Sequence, residues 1–435
     1  MTFDAAILPP SLRMGRDLVV TNLKQPQLFS IPTDDQIEHI PYEKRFKLDH
    51  ISQQAGAGIS TNRLGGGLAG GVNMIFSDML GDNQLFGGFA VNGEVYDFGG
   101  QIAFVNQKNK VNWGASVSHI PYPAYRTYWQ QDTIRVNGDT LQVMNLAQEV
   151  WRTFQDRAAA FAYFPISKSL RFEAGASFSR YSYRRDKFNN YFLDGNRVLQ
   201  DREKLPAPNG FNLQQVDVAY VGDNSQFGIA SPMNGFRHRF QVEKYFGGLD
   251  FYSLLVDYRR YFWIDPFNIS FRALHQNRIG NDAANGILPP FAVFYPTLVR
   301  GYGWNNLYLL EQGESGFNTD DLLGSKMLVG NIEIRIPFTG PERLTPIKSK
   351  FLFSELTLFL DGGLAWGDWN NENQFEQSIF SQSSSFRKRK PIFSTGVALR
   401  VNVFNAMILE PFYAIPLQGD GMSRGSFGLN FTPGW

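Results

Sequence analysis

From Phe46 onward the chain is made of segments in which apolar and polar residues alternate. In 170–178, Leu170, Phe172, Ala174, Ala176 and Phe178 share one face and oppose Arg171, Glu173, Gly175 and Ser177. In 252–258, Tyr252, Leu254, Val256 and Tyr258 oppose Ser253 and Asp257. In 397–403, Val397, Leu399, Val401 and Val403 oppose Arg400 and Asn402. A period of two belongs to a β-strand whose two faces meet different surroundings. Turn-forming clusters separate these segments. The pattern predicts strands near 46–60, 66–77, 84–92, 96–106, 111–119, 148–164, 169–184, 212–230, 236–246, 250–262, 268–276, 327–337, 352–365, 392–403, 406–415 and 424–433, about sixteen in all. Residues 1–44 are rich in proline and polar side chains and lack a sustained period. They read as a linker or the remnant of an upstream domain, with the strand domain spanning 45–435.

The connections also alternate, in length. Short ones (Gly81-Asp82-Asn83, Lys108-Asn109-Lys110, Ile166-Ser167-Lys168, Asp265-Pro266-Phe267, Asn405) fall at one end of the strands. Longer ones, near 120–147, 185–211, 277–326 and 366–391, fall at the other. A soluble sandwich or propeller alternates along its strands but has no reason to sort its connections by parity, and no blade-length repeat recurs. An antiparallel transmembrane barrel has both features: short periplasmic turns and long surface loops. Lipid cannot satisfy charged groups, so the apolar set would face acyl chains and the polar set a wet lumen.

Composition agrees. The 435 residues include 39 Phe, 18 Tyr, 8 Trp and 42 Gly, while mean hydropathy is −0.26. This suits aromatic girdles around a polar interior. No run approaches the roughly 18 apolar residues of a membrane helix, which excludes helical spans. A formal charge of +1 without a basic block argues against a nucleic-acid partner. The absence of cysteine removes disulfides and thiolate metal sites. Met1-Thr2-Phe3-Asp4 lacks a basic n-region and an apolar h-region, so the expectation is a C-terminal piece of a longer precursor.

The candidate chemistry centres on Val299-Arg300-Gly301-Tyr302-Gly303, in the longest connection. The next two strands each carry one acidic residue on the polar face: Glu333 within Gly330–Pro337, and Asp361 in Phe359-Leu360-Asp361-Gly362-Gly363. This ordered set resembles the bacterial surface-antigen superfamily of outer-membrane barrels (BamA/TamA-like), as do Gly396–Arg400 and Pro411–Leu417. The match covers about 46–435 and is strongest from 299 on. The resemblance implies a sixteen-stranded transmembrane barrel in the bacterial outer membrane whose sixth surface loop, tipped by Val-Arg-Gly-Tyr, is inserted into the lumen. It implies a part in outer-membrane protein assembly or translocation, without nucleotide hydrolysis in the barrel. Its implied partners are outer-membrane lipid and lipopolysaccharide, client outer-membrane proteins, and periplasmic or lipoprotein partners. Tyr42 and Phe46-Lys47-Leu48-Asp49 further resemble barrels that follow a TolB-like propeller.

Arg300 is expected to lock the loop by reaching Glu333 and Asp361 in the forked geometry that favours arginine over lysine. The bland alternative is an exposed loop arginine. Gly301 and Gly303 would admit backbone angles closed to other residues. The first and last strands must pair to close a barrel, and Gln53, Gln54, Gly56, Gly58, Gly428, Phe431 and Trp435 mark that seam. In the family a weak seam is a lateral gate; the alternative is glycine that accommodates curvature. Leu64–Gly71 lacks the Lys-Ser/Thr of a phosphate loop. His39, His50, His119, His238 and His275 have no metal-ligand spacing, and His119 and His238 are expected near strand ends, as girdle or rim residues. No hydrolase motif is present, so neither enzyme activity nor a cofactor or metal is expected. Rival readings are a membrane anchor or export conduit for an upstream domain, a porin-like channel, and an outer-membrane enzyme.

Overall fold

The computed structural model describes residues 45–435 except 63–64, 92–94, 137–138, 304–318, 351, 368–390, 404–406, 419–424 and 432–435. The strands are β1 (Lys47–Asn62), β2 (Gly65–Ser77), β3 (Asn83–Val91), β4 (Phe98–Asn106), β5 (Asn112–Val136), β6 (Asp139–Pro165) and β7 (Leu170–Leu193). Next come β8 (Asn196–Leu205), β9 (Phe211–Asp223), β10 (Gln226–Phe227), β11 (Pro232–Gly247), β12 (Phe251–Ile264), β13 (Phe267–Ile279), β14 (Phe291–Ala292) and β15 (Leu323–Gly324). The chain continues through β16 (Lys326–Gly340), β17 (Ile347–Lys348), β18 (Leu352–Trp366), β19 (Ile392–Val403), β20 (Met407–Pro416) and β21 (Ser426–Phe431). The fold is all-β.

Apart from β8, which pairs back onto the outer part of β7, the long strands form one antiparallel meander, each paired with the next in sequence. Among the described residues β1 and β21 are not paired with each other. Parity follows the sequence pattern. On β16, Leu328, Ile332 and Ile334 are exposed, while Asn331, Glu333 and Arg335 are buried. On β18, Leu356, Leu358 and Leu360 are exposed, while Glu355, Thr357 and Asp361 are buried. The interior is polar and the outer face apolar, the reverse of a soluble sheet and the arrangement a bilayer requires.

The predicted loops 120–147 and 185–211 are corrected: both are largely strand. β5 and β6 pair without a break from Asn112↔Tyr163 to Val136↔Asp139, and the residues between them in sequence are Asn137-Gly138, a strong two-residue hairpin signal. β7 and β8 join through Asp194 (φ 49°) and Gly195 (φ 81°), the doubly positive φ pattern of a turn that matches strand twist. These arms carry polar residues on both faces, so the period-two signal fades although the aromatic and β-branched content persists. The outward rung His119↔Asp156, hydrogen-bonded at 2.6 Å, marks where the apolar band ends. His119 therefore lies within β5, not at its end. The predicted strand 212–230 ends at Asp223, where Ser225 donates from its amide (3.1 Å) and hydroxyl (2.6 Å) to the Asp223 carboxylate.

Candidate functional site: the buried arginine between β13 and β16

The described parts of the segment between β13 and β16, 280–303 and 319–325, fold against the polar face of the sheet. Its strands β14 and β15 pair with each other. Val293, Phe294, Val299, Tyr302 and Leu322 pack with Leu274, Met327, Val329, Ala365 and Ile392 of the wall in one apolar cluster. The amides of Leu298 and Val299 donate to the Tyr295 carbonyl (2.7 and 3.0 Å), tightening the turn before Arg300. Asn331 Nδ2 donates to the Leu298 carbonyl at 2.7 Å. The Tyr302 hydroxyl donates to the Phe393 carbonyl at 2.8 Å.

Arg300 is 3% exposed. Its Nε donates to Asp361 Oδ2 (2.7 Å) and its Nη2 to Asp361 Oδ1 (2.8 Å), a two-pronged pair. The same Nη2 reaches Glu333 Oε1 at 2.8 Å, and Nη1 reaches Glu410 Oε1 at 3.4 Å. The Arg300 amide adds a bond to Asp361 Oδ2 at 3.2 Å, and the guanidinium lies 3.6 Å from the centroid of the Phe359 ring. Taking this cation out of water costs several kcal/mol, which paired charges and filled donors must offset. Three carboxylates and an aromatic face supply that compensation.

The network extends beyond the predicted trio. Arg335 Nε donates to Glu333 Oε2 at 2.7 Å, and Arg400 Nη2 donates to Glu333 Oε1 at 3.0 Å. Arg400 Nε also pairs with Glu410. Glu333 is thus held by three arginines and is fully buried. Arg335 was legible from parity, two residues after Glu333 on one strand. Glu410 was hidden because its face also carries Phe412 and Ala414, which read as apolar.

The glycines differ in their demands. Gly301 has φ +91° and its Cβ position lies 3.1 Å from Ala414 Cβ, so a side chain there is strained twice over. Around Gly303 a Cβ would meet nothing within 4 Å. Gly363 requires its glycine for another reason: a Cβ there would come 2.8 Å from Val299 Cγ2 and 3.3 Å from Val293 Cβ. Gly363→Leu should therefore dislodge the segment without touching a charge. Limited proteolysis should show faster cleavage in 296–326 while the sheet stays folded.

The seam residues are placed but not brought together. Gln53, Gln54 and Gly58 pair with Val72, Gly71 and Ala69 of β2, and Gly56 sits in the register shift between Gln54 and Ala57. Phe431 pairs with Leu409, and Gly428 with Phe412. At Gly428 a Cβ would lie 2.2 Å from the Phe412 ring, so this glycine answers to its neighbour on β20. Trp435 lies outside the described residues. Among the described residues no cluster could hold a metal ion. His238 stacks between Phe236 and Phe240.

A second buried ion cluster lies beyond the apolar band; Asp97, Arg152 and Arg184 fall within predicted strands, whereas Asp186 and Arg202 lie in an arm read as loop. Arg152 binds Asp97 (2.8 Å) and Asp186 (2.9 Å), and Asp186 also receives Arg184 and Arg202. Burial alone would raise the Asp186 carboxyl, but Arg184 and Arg202 outweigh it and hold the pKa below the ordinary value.

A model of the Omp85 superfamily domain matches residues 80–434. The chain belongs to the Omp85 superfamily. It is accordingly a bacterial outer-membrane β-barrel protein of the class that assembles or translocates proteins. Among solved structures it is similar to BamA from Haemophilus ducreyi lacking POTRA domains 1–3 (12% identity, 87% of this chain and 74% of that one, TM-score 0.45). It is also similar to CdiB from Acinetobacter baumannii (11%, 89% and 65%, TM-score 0.45) and CdiB from Escherichia coli (11%, 90% and 67%, TM-score 0.39). The chain thus spans about two thirds to three quarters of the length of these structures. No curated protein matches it. Membership of this Omp85 superfamily sets an expectation for the outer face of β16: Ile332→Arg should cost about 2–4 kcal/mol if the site is near the bilayer midplane. Urea unfolding in vesicles checks this, and Asn109→Glu in the exposed short turn between β4 and β5 serves as a neutral comparison.

Proposed function

We propose that this chain is a sixteen-stranded barrel (β1–β7, β9, β11–β13, β16 and β18–β21), closed by pairing β1 with β21. The segment between β13 and β16 is its sixth surface loop, inserted into the lumen and locked by Arg300, Glu333 and Asp361. The observation that carries this reading is the grip of three buried carboxylates on Arg300. A porin-like channel needs an open lumen, and an arginine held against the wall with an apolar cluster above it opposes free diffusion. We place the activity at the seam instead. Residues 45–435 form the barrel, and 1–44 are the linker or remnant of an upstream periplasmic domain. The partners are outer-membrane lipid, lipopolysaccharide, client barrels, and periplasmic or lipoprotein subunits. No side chain is assigned a catalytic role and no cofactor is called for. The free energy for moving a client comes from the client's own folding and from the incomplete pairing of the seam.

The test is an insertion assay in phospholipid vesicles. The reconstituted protein should speed the folding of a second, unrelated barrel. Introduced cysteines that crosslink β1 to β21 should abolish this, and reduction should restore it. Equal acceleration with the seam locked and unlocked contradicts a gate there. Absence of any acceleration favours a membrane anchor for an upstream domain.

A further inference from the structure

The connection between β9 and β11 runs inward at the end of the strands opposite the Arg300 segment. Ile229, Ala230 and Ser231 are all buried, whereas Phe227, just before them, is 56% exposed. Their partners are distant along the sheet. The Ile229 carbonyl accepts from Asn402 Nδ2 on β19 at 3.0 Å. The Ala230 amide donates to Glu355 Oε1 on β18 at 3.1 Å, and the Ser231 hydroxyl donates to Glu355 Oε2 at 2.5 Å. Arg335 Nη1 on β16 donates to Ser231 Oγ and to the Pro232 carbonyl, both at 3.2 Å.

The path from β11 to β19 along the wall crosses β12, β13, β16 and β18. At the usual strand spacing that is roughly 24 Å along the sheet. A hydrogen bond of 3.0 Å between these places means that the turn crosses the interior. Register orders the polar groups along the wall. From the Arg300 end inward they run Asp361 (opposite Asn331), Glu333 (opposite Phe359), Arg335 (opposite Thr357) and Glu355 (opposite Pro337).

We infer that residues 224–234 form a second insertion that closes the lumen from the short-turn end, and that Glu333 and Arg335 join it to the Arg300 lock. Arg300 binds Glu333, Glu333 binds Arg335, and Arg335 binds Ser231 and Pro232. If the turn withdraws, Arg335 loses two acceptors and Glu355 loses two donors in a buried setting. Each lost partner leaves a desolvated group less compensated. The two insertions are therefore in series, as roof and floor, and releasing one leaves the other in place. The inference rests on the closed-barrel reading above.

Two measurements test it, both on the full chain in vesicles. The sequence has no cysteine, so Ser231→Cys gives a single thiol at the floor and Met79→Cys gives one at an exposed turn of the same end, where Met79 is 85% exposed. A membrane-impermeant maleimide should label the Ser231→Cys protein on the order of 100-fold more slowly, as expected of a site reached only through local opening. Equal labelling rates overturn the inference. In planar bilayers, Arg300→Ala alone and a floor variant with Ile229→Gly, Ala230→Gly and Ser231→Gly alone should each stay nearly closed. Their combination should raise conductance roughly tenfold or more, since each opening of the partly released segment then meets no floor and sixteen strands enclose an aqueous channel. A combined variant no more conductive than Arg300→Ala overturns it. The lock fails separately, through unchanged protease sensitivity of 296–326 in Arg300→Ala, so the two failures are distinguishable.

Discussion

Glu333→Ala is expected to destabilise the folded barrel by roughly 3–5 kcal/mol, the cost of stripping the partner from buried charges. The carboxylate of Glu333 accepts from Arg300, Arg335 and Arg400. Its removal leaves three buried guanidinium groups facing one another, while Asp361 and Glu410 are already engaged, Asp361 with Arg300 and Glu410 with Arg300 and Arg400. Like charges in a desolvated cluster repel more strongly than at a surface. Urea unfolding in vesicles measures the loss, and the temperature at which the folded gel band disappears gives an independent reading. Glu333→Gln, which keeps one acceptor and the shape, should lose less. A loss under about 1 kcal/mol, the scale of an exposed ion pair, would show that the network is solvated.

The second large effect concerns the segment itself. Arg300→Ala should leave the barrel folded, because Glu333 keeps Arg335 and Arg400 and Asp361 keeps Asn331 at 2.9 Å. What it removes is the link between the segment and the wall. Cleavage of 296–326 by an added protease should become about tenfold faster or more, corresponding to at least ~1.4 kcal/mol of lost attachment. Arg300→Lys should fall between, since an ammonium cannot reproduce the forked contact to Asp361 together with the reach to Glu333. Tyr302, Val299 and the apolar cluster remain in the variant, so partial rather than complete release is expected.

The sequence made the outward and inward faces legible wherever one face meets lipid, because there the period of two is enforced by the cost of a charge in hydrocarbon. β16 and β18 show this plainly, and Glu333 and Asp361 could be read off the polar face they share with Arg335 and Glu355. Beyond the apolar band the enforcement stops. Tyr122, Arg126, Tyr128 and Asp132 of β5 pair as strand against β6, but nothing makes their faces differ, and they read as loop. Asp186 and Arg202, partners in the Arg152 cluster, lie in the other arm and were lost in the same way. Glu410 was masked by Phe412 and Ala414, apolar side chains on its own face. The floor formed by Ile229, Ala230 and Ser231 gave a β-like composition that extended the reading of β9 beyond Asp223. Only the long-range contacts to Glu355 and Asn402 reveal that these residues turn inward.

The central claim is that the Arg300 segment is held against the β18 wall. Val299 lies against Gly363, where a Cβ would come 2.8 Å from Val299 Cγ2; Val299→Cys has one γ branch fewer, which makes room for a small Cβ at 363 where leucine has none, and the chain has no cysteine of its own. The most direct measurement is disulfide formation in intact outer membranes between Val299→Cys and Gly363→Cys, beside a control pair Ile332→Cys and Leu360→Cys on directly opposed strand positions. The account predicts that both pairs crosslink under mild oxidation, and that adding Arg300→Ala slows the first pair but not the second. Crosslinking of the control pair alone would contradict it, because the segment would then lie away from the wall.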